Sequence, residues 1–271
     1  MIEIRACQGL GELEACVQLQ LATWGYDLTD AVPRRLFLLA QKIGGQVIGA
    51  FETGSEAARE QGSEVPPPET GIGNSPNLVG FAMSLPGVKI VNSQPYAYLH
   101  SHMLAVRESH RNRGIGTQLK WEQRREALSR GIRRMEWTFD PLEIKNAFLN
   151  IHRLGAIACE YRVDFYGVSS SRLQGGLPTD RLLAVWELDS PRVEGVAAHR
   201  PAGEHSIQER IIVPVSIGLW KANEANRKRA LAVQLEIRKK LQRAFSQGLA
   251  VLGYSRDSEG NGVFELGLLP R

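Results

Sequence analysis

No run of about eighteen apolar residues occurs in the chain, so no segment is long enough to cross a bilayer as a helix. Cysteine is scarce. Cys7, Cys16 and Cys159 form an odd, widely separated set, with neither a disulfide framework nor zinc-site spacing. Each reads as a small buried apolar residue, with Cys159 also within reach of a site. No metal site is expected, and a reducing cytoplasm is the simplest setting. Strong charge is missing too. The formal balance of +4 suits an anionic ligand without calling for nucleic acid. Met1-Ile2-Glu3-Ile4-Arg5 lacks the basic-then-apolar pattern of a signal peptide and reads as the first strand. At 271 residues the chain can bury a real core, in one large domain or two modest ones.

The chain also has no Gly-Lys pair, which removes the P-loop. The dinucleotide fingerprint needs a third glycine or alanine three residues after the second, and Leu119 stands there. What is present is Arg111-Asn112-Arg113-Gly114-Ile115-Gly116-Thr117, between a strand-like run over 98–106 and a helix predicted from Ile115 to about Arg130. A helix start carries free N–H groups and partial positive charge. Two glycines let a bulky anion approach those amides, and a pyrophosphate fits. Taken alone, the same residues are also a plain glycine turn.

The loop, with Met103-Leu104-Ala105-Val106-Arg107-Glu108 ahead of it and Arg153-Leu154-Gly155-Ala156 behind, resembles the GNAT acetyltransferase superfamily over roughly residues 1–190. The whole chain is similar to a group of GNAT proteins with a fused C-terminal strand–helix–hairpin segment, here carrying Ile212-Val213-Pro214 and Gly253-Tyr254. The resemblance implies an α/β (α+β) fold, with a mixed, mostly antiparallel central sheet flanked by helices. It implies acetyl-CoA or coenzyme A as cofactor, with its pyrophosphate on residues 111–117 and its pantetheine arm along the backbone of Leu104 and Val106. An amide near Leu104 would polarise the thioester, and Asn146 and Asn150 would face the cofactor; the bland reading of both asparagines is capping and surface hydrogen bonding. Acceptor walls are expected near Trp24, Tyr26 and Phe37, which are equally readable as core. Homodimers are common in the superfamily.

Acyl transfer to an amine requires a proton acceptor. Strand alternation puts Tyr98, His100, His102, Leu104 and Val106 on one face. His100 takes the place where some family members carry a glutamate, and His102 is the second choice; structural, hydrogen-bonded histidines are the competing reading. Ile151 stands where many members place a tyrosine that protonates the leaving thiolate. Either the thiolate leaves unassisted, or His152, Tyr161 or Tyr166 substitutes, or no transfer occurs. Glu136 reads as half of a surface ion pair.

The expected organisation is a GNAT-like domain over 1–190, a polar linker over 191–206, and a C-terminal extension over 207–271 packed on the first domain. Within it, a helix runs from Val32 to Gln41 with Thr29-Asp30 as cap, and Pro86-Gly87 and Pro95 lie in a loop between two strands. Thr53 to Asn77, with Pro66-Pro67-Pro68, reads as an exposed excursion or a lid over the acceptor pocket. Trp220 to Gln247 reads as one basic helix, a solvated face or a surface for RNA or an acidic partner. The leading function is an acyl-CoA-dependent N-acyltransferase acting on a small-molecule or peptide amine. A CoA-binding sensor without turnover is the alternative, with RNA binding third.

Overall fold

The computed structural model describes residues 1–27, 30–53, 77–200 and 206–269. The Thr29 cap and the expected lid lie outside the described residues. Among the described residues, ten strands form one sheet in the order β1-β2-β3-β4-β5-β7-β6-β9-β10-β8. The strands are β1 (Ile2–Ala6), β2 (Gln46–Glu52), β3 (Leu78–Val91), β4 (Gln94–Val106), β5 (Arg134–Phe139), β6 (Ile157–Arg162), β7 (Arg181–Glu187), β8 (Glu209–Val213), β9 (Leu249–Arg256) and β10 (Gly262–Leu268). All pairings are antiparallel except β4 with β5. This is the mixed, mostly antiparallel sheet the sequence leads one to expect.

Helices α1 (Gly9–Trp24) and α2 (Arg34–Lys42) cover one face of the N-terminal half. Their apolar residues Leu13, Cys16, Leu19 and Phe37 pack on Phe81, Met83, Met103 and Ala105. Gly25 ends α1 in the left-handed conformation, with its N–H on the Leu21 carbonyl. Pro33 caps α2 from outside rather than sitting in its first turn. Helix α3 (Ile115–Ser129) lies on the other face, where Ile115 and Leu119 meet Ile48, Ala50, Val79 and Ala82. Cys7 and Cys16, apart in sequence, place their sulfurs 3.9 Å from each other as free buried thiols.

β3 and β4 form one long hairpin that turns at Asn92-Ser93, both with positive φ. Pro86, Gly87 and Pro95 therefore lie inside strands, against the expected loop. Pro86 lies beyond the last pair with β2, Gln46–Ser84, and Pro95 lies before the pairs with β5 at Leu99 and His100, so their missing N–H breaks no central ladder. Tyr98 covers Gly87 across the hairpin: a Cβ there would lie 2.6 Å from its ring.

The C-terminal half is built on one core. Trp137, Leu182, Trp186 and Ile151 share a cluster with Ile211, Ile237, Leu241, Tyr254 and Phe264. The expected linker is in part α5 (Pro191–Ala197). Ser190 caps it, proline opens it, and Val193 reaches the core. The single basic helix is two, α6 (Ile217–Ala222) and α7 (Arg227–Ser246), because Asn223 caps the turn between them. Two buried charge clusters tie this segment to the sheet. Lys221 Nζ donates to Asp140 (2.7 Å) and Glu143 (2.8 Å). Arg238 donates twice to Asp180, at 2.8 and 2.9 Å, and Tyr161 donates to the same carboxylate at 2.6 Å.

Burial alone would lower the Lys221 pKa, but Asp140 and Glu143 more than offset it, so the amine is held charged. Lys221→Met keeps the stem and strands two carboxylates. The expected loss is about 3 kcal/mol, read as a lower denaturant midpoint at unchanged slope.

Candidate active site

β4 and β5 run side by side for two residues only, Leu99 with Met135 and His100 with Glu136. Beyond them the strands part, while β4 stays paired to β3 through Val106. A fork opens between residues 101–106 and 137–139. A bulge helps make it. Met83 pairs with Met103 but Ser84 pairs with Ser101, so His102 is the extra residue.

The bulge also reverses the alternation of side chains. Ser101 donates to Gln123 of α3, and Leu104 and Val106 pack with Ile115 and Leu119, so these residues share the α3 face. Met103 and Ala105 lie on the α1/α2 face. His100 is one residue from Ser101 and therefore faces away from α3. The expectation that Tyr98, His100, His102, Leu104 and Val106 share a face is wrong for this reason.

At the mouth of the fork, on the α3 side, lies the glycine loop. A short turn, Glu108–His110, follows β4, and Arg111 donates from Nε back to the Val106 carbonyl at 3.1 Å. Asn112 and Gly114 both have positive φ, 62° and 78°, so the loop bends sharply into the helix. The first helical bond runs from the Gln118 N–H to the Gly114 carbonyl. The amides of Ile115, Gly116 and Thr117 precede it and carry no helical partner. No side chain caps them and no acid sits in the first turn. Arg111, Asn112 and Arg113 are exposed. Gly114 is required by its backbone angle. Gly116 is not: a Cβ there would meet Leu104 and Val106 at 3.8 and 3.9 Å, ordinary contacts. Folding alone asks for no glycine at 116, whereas close approach of a bulky anion does. Ile115, buried against the sheet, anchors the loop with roughly 2 kcal/mol of apolar burial.

On the opposite face, His100 and His102 lie with ring centroids 6.2 Å apart. Burial, with His102 adding a smaller push, lowers the His100 pKa to about 4. Desolvation lowers His102 as well. Both shifts favour the neutral imidazole. Glu136 is buried rather than on the surface; it accepts from Lys89 at 2.6 Å and from Arg134 at 2.8 Å. Tyr166 shares a 2.8 Å hydrogen bond with Thr138 on the β5 wall of the fork. Its loop is tied to the one after α1, because Ser170 donates to Asp30 through N–H (3.0 Å) and hydroxyl (2.6 Å). Beside that tie Trp24 stacks on Tyr26 at 5.6 Å. Phe37 is fully buried, edge-on to Phe81, and lies in the core rather than on an acceptor wall.

The asparagine pair lies on the helix that follows β5. Asn150, buried, donates to Asn146 at 3.2 Å, on a short α4 (Ile144–Ala147) that widens into a π turn over Phe148–Arg153. That helix packs on β9 and β10, where Ile144 approaches Gly262 and Arg256 approaches Phe148. Ile151 is fully buried in the core. Tyr161 is spent on Asp180, and His152 stacks on Phe148 at 4.4 Å.

Sequence reasoning missed a polar cluster on the α3 face. Lys120, fully buried, donates to Ser101 at 2.8 Å and lies 3.6 Å from the centroid of Trp137. Ser101 in turn donates to Gln123 at 3.0 Å. The signal was present: Lys120 falls in the buried stripe Ile115, Leu119, Gln123, Ala127 of an amphipathic helix.

Residues 52–149 match the family described as acetyltransferase (GNAT) family. The matched stretch holds the fork and its loop. No curated protein matches the chain by sequence. Among solved structures, the chain is similar to a putative acetyltransferase from Salmonella typhimurium with its cofactor acetyl-CoA. Identity is 17%, with 70% of this chain and 95% of that chain covered, at a TM-score of 0.48. The ribosomal-protein-S18-alanine N-acetyltransferase from Escherichia coli is 13% identical, covers 70% and 96%, and has a TM-score of 0.47. NAA60 of Arabidopsis thaliana, in complex with a bisubstrate analogue, is 17% identical, covers 69% and 98%, and has a TM-score of 0.46.

His100 also sets a pH dependence. Its folded pKa lies below the ordinary histidine value of 6.5, so the unfolded chain takes up the proton first as pH falls. Stability from this group is full above pH 6.5 and is lost between about 6.5 and 4, at up to about 1.4 kcal/mol per pH unit. In His100→Gln, denaturant melts across that window are expected to show a shallower slope.

Proposed function

We propose that the protein is an acyl-CoA-dependent N-acyltransferase, with acetyl-CoA as donor and a small-molecule or peptide amine as acceptor. The observation that carries this reading is the set of unpartnered amides at 115–117, with a glycine at 116 that folding does not require, placed at the mouth of the fork. These amides, with Arg111, Arg113 and Asn112, would hold a pyrophosphate. The donor, when bound, supplies an activated acyl thioester. Backbone of Leu104 and Val106 on the open side of β4 would orient its arm, and an amide near Leu104 would take the developing oxyanion, worth about 3 kcal/mol.

Proton handling narrows the acceptor. An imidazole with a pKa of about 4 is a weak base toward an ammonium, and a lysine side chain, near 10.4, is the harder case. An α-amino group, near 7.7–8.0, is already partly neutral at working pH and needs least help. His102, the more open of the two rings, passes its proton to water. The acceptor enters on the face of His100, His102 and Tyr26, with the Trp24–Tyr26 stack as its apolar wall. For the leaving thiolate, Tyr166 on Thr138 is the candidate donor, since Ile151 has no proton and Tyr161 is committed to Asp180. Unassisted departure remains tolerable for a thiol near pKa 8.5.

The second reading, a CoA-binding sensor without turnover, is favoured by the apolar Ile151. RNA binding is not. Several cations of α7 already serve the protein itself: Arg238 on Asp180, Lys240 on Glu236, Arg243 on Glu209 and Arg227 on the Gly175 carbonyl.

Calorimetric titration with acetyl-CoA is expected to give saturable binding, weakened at least about tenfold in a Gly114→Trp variant that still melts cooperatively. Equal binding by both would end the assignment of the loop. Thiol release with an amine panel then separates enzyme from sensor. α-Amino acceptors should outrun lysine side-chain analogues, and Tyr166→Phe should slow turnover roughly tenfold or more without changing acetyl-CoA affinity. Binding with no thiol release from any amine would favour the sensor.

A further inference from the structure

A fully buried lysine sits at the fork, and the reaction proposed above makes no use of it. Lys120 lies one turn beyond Gly116 on the same face of α3, so a ligand running inward from the loop along that face meets it next. Its Nζ is held by Ser101 of β4 and by the face of Trp137 of β5. These are the residues immediately after the last paired rung, His100 with Glu136. The amine therefore marks the point where the two strands separate.

No carboxylate among the described residues pairs with it. Glu136 is on the opposite face and engaged by Lys89 and Arg134, and Glu126 pairs with Arg130 and takes the Gln46 amide. Burial pushes the Lys120 pKa well below the ordinary lysine value. A second observation lies in the same cluster. Gln123 uses its carbonyl oxygen on Ser101, while its Nε2 donor is buried with no partner among the described residues. A buried amide donor left over costs about 1–3 kcal/mol unless a guest supplies an acceptor.

We propose that Lys120 is a self-acylation site, an amine at the fork that takes the acyl group of an acyl thioester bound there. The proposal rests on the reading of the fork as the donor site. The Nζ lone pair attacks the thioester carbonyl, the C–N bond forms and the C–S bond breaks. The proton lost by nitrogen goes to the departing thiolate, and nothing is oxidised or reduced. The product amide keeps an N–H for Ser101, and its new carbonyl oxygen gives Gln123 Nε2 the acceptor it lacks. Because an amide is not turned back by an incoming amine, the modified chain carries a filled fork. Self-acylation is then a brake that acts when donor is present and acceptor is not.

The test is peptide mapping by mass spectrometry of the full chain, at pH 7.4, after incubation with acetyl-CoA or with S-acetyl-N-acetylcysteamine, a thioester that lacks the pyrophosphate. An exposed lysine is neutral about one time in a thousand at that pH, so occupancy at Lys120 should exceed that of each of the seven other lysines at least about tenfold. Lys120→Met, which keeps the stem length, should lose that peak. Wild-type protein that binds acetyl-CoA by calorimetry yet leaves Lys120 free, or acetylated no faster than exposed lysines, overturns the proposal and leaves the donor site standing. Labelling of Lys120 by the small thioester without any binding of acetyl-CoA would support the nucleophile and remove the donor-site reading. Absence of both overturns both. The mapping needs no variant, so the result stands even if Lys120→Met fails to fold.

Discussion

Everything at the candidate site depends on β4 and β5 staying paired for two residues and then separating. Parallel neighbours ordinarily continue as far as both strands last, since each lost rung leaves backbone donors and acceptors unmet. Here β4 cannot follow β5, because it is held along its whole other edge by β3, and the bulge at His102 bends it away. The open edge of β4 is then available to a ligand that carries its own amides. The same bulge rotates the side chains, turning Leu104 and Val106 under α3 while His100 looks to the far side. One extra residue thereby gives the fork two chemically different faces.

The two halves of the sheet are stabilised differently around that opening. The N-terminal half is clamped from both sides, by α1 and α2 on one face and α3 on the other. Beyond β5, a single large cluster joins β5, β6 and β7 to β9, β10 and α7. β6 and β9 are linked by one backbone pairing, Ala158 with Val251, so side chains rather than ladder bonds hold that seam. Lys221 and Arg238 add charge to this half, each satisfied by carboxylates of the first segment. Buried pairs of this kind contribute little net energy but penalise any other docking, because a misplaced segment would strand both partners.

The loop was legible because its signals are local: Gly114 for a positive φ, arginines without an acid in the first turn, and an apolar residue at 115 to anchor it. The mixed, mostly antiparallel character of the sheet came from resemblance rather than from pattern. What the pattern missed is non-local. Alternation predicts one face for His100 through Val106 only if no residue is inserted, and nothing at His102 announces the bulge. Phe37 has the chemistry of a pocket wall, yet its helix turns it to Phe81. The linker was read from polarity, which hid the Ser190-Pro191 helix start and the core position of Val193. Asn223 divided the basic helix because its side chain reaches the Ala225 amide, a cap that charge counting overlooks.

Charge is sorted across the fork in a way that fits acyl transfer. Arg111 and Arg113 are exposed at the mouth, where an anion would meet them in water. Inside, His100, His102 and Lys120 are all pushed toward their neutral forms by the same loss of solvent, on two faces. Among the described residues, the buried acid nearby, Glu136, is matched by two cations and projects no uncompensated field. A neutral interior disfavours an ammonium and favours the free amine that attacks a carbonyl. It gains nothing from a strong base, which would have to be charged or poised to become so. An acceptor entering such a fork must shed its proton at the threshold, and an amine with a low pKa of its own does that most readily. The desolvation that weakens His100 as a base is therefore the same effect that would select the acceptor, and it pushes Lys120, at the innermost point, in the same direction.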